Sequence, residues 1–262
     1  MKSLFNALRI QAERPPSRMA WSVSYLLALG GFALLLQFAF ARLQYHWNWS
    51  VLVEYRELLI RGWVTSLGIS VAALGGSLFL GTLLALAGRS NWLPVRSGQR
   101  LLVELIRGTP LLVQILVFFY VVADAYGVQN RYLVGVMTLS LFSAAYIAEI
   151  IRAGIESVGE SQWESARAIG LDTRQTYRFV VFPQALRQSL PPLAGQFVSL
   201  VKDSSLLSII GIAEFTKNAR DINSLTFSTL ESYLPLALGY LILTLPISWW
   251  TQRLEERVRF ES

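Results

Sequence analysis

The run Gly62-Trp63-Val64-Thr65-Ser66-Leu67-Gly68-Ile69-Ser70-Val71-Ala72-Ala73-Leu74-Gly75-Gly76-Ser77-Leu78-Phe79-Leu80-Gly81-Thr82-Leu83-Leu84-Ala85-Leu86-Ala87 carries no charge over 26 residues. At about 1.5 Å of rise per residue, a helix of that length spans the roughly 30 Å hydrocarbon core of a bilayer. Residues 21–41 and 232–252 form further uncharged runs of 21 residues each. Three more apolar segments, 101–123, 132–151 and 189–213, are interrupted by charge. The pattern predicts an all-α integral membrane protein with six transmembrane helices. With 53% hydrophobic and 15% charged residues, no soluble domain fits in what remains.

The first run is longer than the apolar core of a signal peptide, about 7–15 residues, and no convincing small-x-small cleavage site follows it. It is expected to stay as an anchor. Residues 1–54 then form a tail, an extra helix and an external connector, and residues 55–262 form the main membrane domain. Tyr45, His46, Trp47 and Trp49 beside the first helix suit a headgroup layer better than a catalytic role for the single histidine. Gly68, Gly75, Gly76 and Gly81 stud the second helix and are expected to permit close helix–helix approach.

The formal net charge of +6 does not call for nucleic acid, because its distribution follows the membrane. Lys2, Arg9, Arg14 and Arg18 precede the first helix, and Arg89, Arg96 and Arg100 separate the second and third. Arg152, Arg167, Arg174, Arg178 and Arg187 separate the fourth and fifth, and Arg253, Arg257 and Arg259 follow the sixth. The other side holds only Arg42, Arg56, Arg61, Arg131, Lys217 and Arg220. The positive-inside rule therefore places both termini in the cytoplasm.

Chemistry-bearing motifs are missing. The chain has no cysteine, no phosphate-binding G-x-x-x-x-G-K-[ST] loop, no H-E-x-x-H and no G-x-S-x-G. Neither a catalytic residue nor a metal site is expected. Charges inside the apolar segments are the stronger signal, since each costs about 2.5–3.5 kcal/mol at a helix centre unless paired or lining a polar path. Glu104 and Arg107 share a helix face, and Gly108-Thr109-Pro110 should break the helix just after them. Glu149 and Arg152 repeat the spacing in the fourth helix, and Lys202-Asp203-Ser204-Ser205 interrupts the fifth near its middle. Two roles stay open for Glu104–Arg107 and Lys202–Asp203: ion pairs that hold the bundle, or groups that meet a zwitterionic solute on its way through.

Between the fourth and fifth helices, the longest polar stretch (156–187) reads as two short helices, 161–169 and 173–181. Gly170 ends the first, Asp172 or Thr173 caps the second, and Pro183 ends it.

That stretch carries a resemblance. Glu164-Ser165-Ala166-Arg167-Ala168-Ile169-Gly170, closing at Val180-Val181-Phe182-Pro183, is similar to the coupling motif of bacterial ATP-binding-cassette importers: E-A-A, three residues, G, nine residues, I-x-L-P. Ser165 replaces the middle Ala, and Val180 and Phe182 replace Ile and Leu. Glu104-Leu105-Ile106-Arg107-Gly108-Thr109-Pro110-Leu111-Leu112-Val113-Gln114, Ala144-Ala145-Tyr146-Ile147-Ala148-Glu149, and Val201-Lys202-Asp203-Ser204-Ser205-Leu206 resemble, in order, segments of polar amino acid permeases of the histidine/glutamine type. The likeness runs over about residues 55–253.

The resemblance implies a type I importer fold, with five core helices and the first helix as an extra. It implies a bacterial inner-membrane subunit paired with an identical or related permease. Two cytoplasmic ATPase subunits would bind ATP and Mg and receive the coupling helix at Trp163, Glu164, Ser165, Ala166 and Arg167, with Gly170 as its turn. An external solute-binding protein would deliver an amino acid. Pathway candidates are Lys202, Asp203, Gln196, Ser204, Ser205, Glu104 and Arg107. Some relatives that carry cationic amino acids have Glu where this chain has Gln196, so a neutral or broader substrate is favoured. Two other classes stay open: a non-transporting membrane scaffold or sensor that docks a partner through the same loop, and a channel or secondary transporter without ATP. A permease for another small solute is the alternative within the importer class.

Overall fold

A computed structural model describes residues 18–41 and 45–259; Lys2, Arg9, Arg14 and Arg42 of the charge argument lie outside them, as do the side chains of Arg18, Arg257 and Arg259. The chain divides into two units, residues 1–47 and 48–262. In the first, α1 (Arg18–Phe40) is a 23-residue apolar helix. After it, Tyr45 meets Trp47 edge-on at 5.2 Å, and Trp47 also reaches Phe40 at 6.4 Å.

The second unit holds α2 (Ser50–Glu54), α3 (Arg56–Ala87), α4 (Leu93–Gly108), α5 (Leu111–Val117), α6 (Arg131–Glu156), α7 (Glu160–Ala168), α8 (Thr173–Thr176), α9 (Phe182–Asp203), α10 (Phe215–Thr226) and α11 (Thr229–Arg259). A π-helical turn, Phe118–Ala123, extends α5, another, Tyr177–Val181, joins α8 to α9, and a 3₁₀ segment, Ser204–Ile210, extends α9. Among the described residues five helical segments are long and apolar enough to cross a membrane, and α4 with the extended α5 makes a sixth if the bent pair is one span.

The break expected at Gly108-Thr109-Pro110 is formed, and α4 and the extended α5 meet there at 107°. Pro110 has no N–H to continue α4, and it holds the preceding Thr109 extended, at φ −117° and ψ 144°. The carbonyls freed at the break are recovered by Gln114, whose Nε2 donates to Ile106 O at 2.7 Å, Thr109 O at 3.2 Å and Thr109 Oγ1 at 2.8 Å. The third span's charges therefore sit on α4 and none on α5.

The fifth span is much longer than 189–213: a helical path runs from Thr173 to Ile210, 38 residues. Pro183 does not end the second loop helix. It sits in the first turn of α9, where its missing N–H costs little, and Lys202 and Asp203 fall near the far end of the path rather than its middle.

The glycine expectation holds at two of four positions. A Cβ on Gly81 would sit 2.7 Å from Ile147 Cγ2, and one on Gly76 would sit 2.5 Å from Ser140 Oγ, so both let α3 close on α6. Gly68 and Gly75 face open space.

The core sits where α3, α5, α6 and the end of α9 converge, on Ile69, Ala73, Leu111, Ile115, Leu139, Leu200, Leu207 and Ile212. Lipid tails are as apolar as these side chains, so close packing and interhelical hydrogen bonds hold the bundle rather than escape from water. Buried Ser140 donates to Ala73 O at 3.3 Å, one such bond between α6 and α3.

Candidate functional site

The polar end of the bundle is built around α7 and α8. Gly170 has φ +83°, a left-handed conformation that closes α7 with no Cβ penalty. Asp172 then caps α8: its Oδ1 accepts from Gln175 N at 2.8 Å, and Gln175 Oε1 accepts from Asp172 N at 2.9 Å. Of the two cap candidates, Asp172 holds the position.

The residues picked out on α7 divide between two faces. Ala166 is buried, and half-buried Trp163 meets Tyr177 edge-on at 5.1 Å, over a small core of Val158, Val181 and Ala185. Glu164, Ser165, Arg167 and Gly170 are exposed. Ile169, 76% exposed, joins them. The inner pair anchors the helix and the outer group presents it.

Next to this loop the connector after α3 returns: Arg89 Nη2 donates to Tyr177 OH at 2.8 Å. Arg107 and Glu104 lie near it but do not pair with each other. Glu104 accepts from Arg100 Nε at 2.9 Å, one turn back along α4, while Arg107 Nη1 reaches across to Glu149 Oε2 of α6 at 3.2 Å. Glu149 is held from the other side by Arg152, through Nε at 3.1 Å and Nη2 at 3.0 Å. Arg152 also reaches Glu156 at 2.5 Å. The guanidinium of Arg107 lies over the Tyr146 ring, 5.4 Å from its centroid. The result is a charged strap from α4 to α6, with the break at Pro110 just beyond it.

The remaining pathway candidates lie along the second half of α9. Half-buried Gln196 donates from Nε2 to Ser143 Oγ of α6 at 3.0 Å. Lys202 is exposed, Asp203 is half-buried, and neither has an ion-pair partner among the described residues. Adjacent side chains on a helix point about 100° apart, so the two do not meet. Buried Ser204 returns its hydroxyl to Val201 O at 2.8 Å, and Ser205 does the same to Lys202 O at 2.7 Å. Both hydroxyls tie off the change from α to 3₁₀ winding.

The opposite end of the bundle holds a polar knot that sequence reasoning passed over. Glu214, fully buried, caps α10: Oε1 accepts from Lys217 N at 2.7 Å and Oε2 from Thr216 N at 2.9 Å. Tyr240 OH of α11 donates to Oε2 at 3.0 Å, and Ser66 Oγ of α3 donates at 3.2 Å while accepting from Phe215 N. Burial pushes this carboxyl up from its ordinary value against all four of those bonds. A glutamate three residues ahead of Lys217, at the head of a polar run, was the available signal. Fully buried Glu231 of α11 forms a second tie, accepting from Asn48 N at 2.5 Å.

Among the described residues no cluster of three His, Cys, Asp or Glu side chains is arranged to hold a metal.

Comparison with known proteins is consistent across three measures. Residues 77–260 match the family model described as "binding-protein-dependent transport system inner membrane component". The glutamine transport system permease protein GlnP of Escherichia coli (strain K12) is 36% identical over 214 residues, covering 81% of this chain and 98% of that protein. The probable glutamine ABC transporter permease protein GlnM of Bacillus subtilis (strain 168) is 35% identical over 211 residues, 80% of this chain and 98% of its own. A crystal structure of an amino acid ABC transporter with histidines superposes with a TM-score of 0.76 at 34% identity, covering 81% of this chain and 100% of that one. An inward-facing MetNI methionine ABC transporter reaches 0.62 at 17% identity, a likeness of fold.

Proposed function

As the chain belongs to the family of binding-protein-dependent transport system inner membrane components, we propose that it is the permease subunit of an ATP-binding-cassette importer that carries an amino acid across a bacterial inner membrane. The observation that carries the reading is the exposed face of α7 (Glu164, Ser165, Arg167, Ile169 and Gly170) held on a buried anchor of Trp163 and Ala166. A helix fixed to the bundle on one side and bare on the other suits a lever that another chain pushes.

In this reading α7 and both termini face the cytoplasm, on the basic side of the membrane. Separate ATPase subunits bind ATP and Mg and seat α7, a second permease completes the pathway, and an external binding protein delivers the solute. The family description itself names dependence on a binding protein. Lys202 and Asp203, charged and without an ion-pair partner, are assigned to the solute's carboxylate and ammonium, and Gln196 to an uncharged polar contact beside them. Ser204 and Ser205 set the winding at that point. The short relatives with printed substrates carry glutamine and other amino acids, which supports a small zwitterion as cargo.

The test is uptake into proteoliposomes containing this chain, its ATPase, its permease partner and its binding protein, with the twenty amino acids offered one by one. ATP-dependent accumulation of at least one is the expected result. A complex that hydrolyses ATP but accumulates none would sink the amino acid assignment.

A further inference from the structure

At the polar end of the bundle a cavity of about 680 Å³ lies between α4, the end of α3 and the end of α6. Five arginines line it: Arg89, Arg96, Arg100, Arg107 and Arg152. Its three carboxylates are all matched, Glu104 by Arg100, Glu149 by Arg107 and Arg152, and Glu156 by Arg152. Arg89 and Arg96 have no carboxylate among the described residues, so the cavity keeps two uncompensated positive charges. Arg89 is already positioned, hydrogen-bonded to Tyr177 OH and lying over its ring at 5.6 Å. A guanidinium held this way presents its remaining donors as a planar fork, the geometry that grips a phosphate.

The helix that supplies the largest share of this wall, α4, has a second character. Leu101 and Leu105 of α4 are 59% and 57% exposed, on the side away from the arginines, and Trp92 at its start is 68% exposed. Basic residues on one face, leucines on another and a tryptophan at the end describe a helix lying along a membrane surface. The 107° bend at Pro110 turns α4 away from the extended α5, which carries the apolar part of the span.

We propose that this cavity binds the phosphate headgroup of an anionic lipid, with Arg89 and Arg96 gripping the phosphate and the acyl chains lying along Leu101 and Leu105. The inference rests on the cytoplasmic placement of this end, where anionic lipid is concentrated and basic pockets between helices take such headgroups. A free phosphate shares the head chemistry but makes no use of the leucine face.

The test measures spin-labelled phosphatidylglycerol against spin-labelled phosphatidylcholine, with the full chain reconstituted in phosphatidylcholine vesicles, and scores the protein-immobilised fraction of each. Phosphatidylglycerol should be favoured roughly ten- to thirty-fold at low ionic strength, from two arginines near the surface. Arg89→Gln with Arg96→Gln should bring the preference close to one, while Arg174→Gln with Arg253→Gln, which removes the same charge elsewhere, should keep it. Equal binding of both lipids, or equal loss in both double variants, overturns the proposal. Displacement of the label by inorganic phosphate, but not by chloride at matched ionic strength, would make it a free-phosphate site and overturn the lipid assignment. Circular dichroism and thermal unfolding of each variant show whether it is folded. Because binding is scored without transport, failed uptake would count against the importer and not against this site.

Discussion

Arg107 of α4 is bound to Glu149 of α6 at 3.2 Å, and not to Glu104, its own-helix neighbour three positions back. The distinction matters because a pair within one helix holds only that helix, whereas this contact ties the segment before the Pro110 break to the body of the bundle. Both side chains are partly exposed, at 43% and 27%, so solvent screening keeps the pair to roughly 1 kcal/mol or less. Replacing Glu149 with Gln weakens the grip on Arg107 and Arg152 together. We expect a small fall in melting temperature and a larger fall in uptake, because the orientation of α4 loosens. A double-mutant cycle between Arg107→Gln and Glu149→Gln should return a coupling of about 0.5–1 kcal/mol. Strict additivity would show that the strap carries no load.

The break itself depends on one side chain. Gln114 is buried and donates to Ile106 O, Thr109 O and Thr109 Oγ1. Gln114→Leu keeps the volume and removes all three bonds, leaving carbonyls that straight α-helix would have satisfied. A buried acceptor left without a partner costs about 1–3 kcal/mol, so a clear drop in thermal stability is expected. Gln114→Glu offers no donor when ionised and should not rescue. Unfolding of the three proteins in the same detergent checks this, and a Leu variant as stable as the parent would mean that water repairs the break.

Legibility from sequence followed how local the cause was. The break at Gly108-Thr109-Pro110, the turn at Gly170 and the cap at Asp172 were readable because proline, glycine and aspartate act through their own backbone. Partner choice was not. Glu104 and Arg107 have the spacing of a pair, yet Glu149 from another helix captures the arginine, and no i,i+3 rule sees across helices. The length of the fifth span was hidden because Pro183 reads as a stop, whereas the π-helical turn Tyr177–Val181 leads the path up to it and Pro183 falls in the first turn of α9. Glu214 was missed because its partners, Ser66 and Tyr240, lie 148 and 26 positions away.

Gly170→Ala tests α7 as a lever. Its φ of +83° is strained for any residue with a Cβ, by about 1–2 kcal/mol, although open space surrounds the position. The strain acts on the angle at which α7 is presented, while its anchor through Trp163 and Ala166 stays intact. Uptake is expected to fall several-fold, with a loss of protein stability no larger than that strain of about 1–2 kcal/mol. Ile169→Asp, which alters only the exposed face, should weaken ATPase binding in a pull-down from purified components. Full uptake in both variants would remove α7 from the coupling role.

Glu214 makes stability depend on pH in a definite direction. Burial raises its carboxyl, outweighing the bonds from Thr216 N, Lys217 N, Tyr240 OH and Ser66 Oγ that favour the anion. The folded chain therefore holds this proton more tightly than the unfolded chain. Its contribution is fully present below the ordinary carboxyl value of 4.5 and is lost as pH rises through the elevated folded one. Melting temperature should decline over that window in the parent. Glu214→Gln mimics the neutral form, and its amide oxygen can take the place of Oε2. The amide nitrogen then opposes Lys217 N–H and gives up one cap bond, so the variant should be somewhat less stable at acid pH but with a flatter profile. Glu214→Ala loses the cap and strands Ser66 and Tyr240, at a cost of about 1–3 kcal/mol at every pH. Thermal unfolding at a series of pH values separates these outcomes. A profile in Glu214→Gln as steep as the parent's would assign the pH dependence to another group and leave Glu214 as a cap alone.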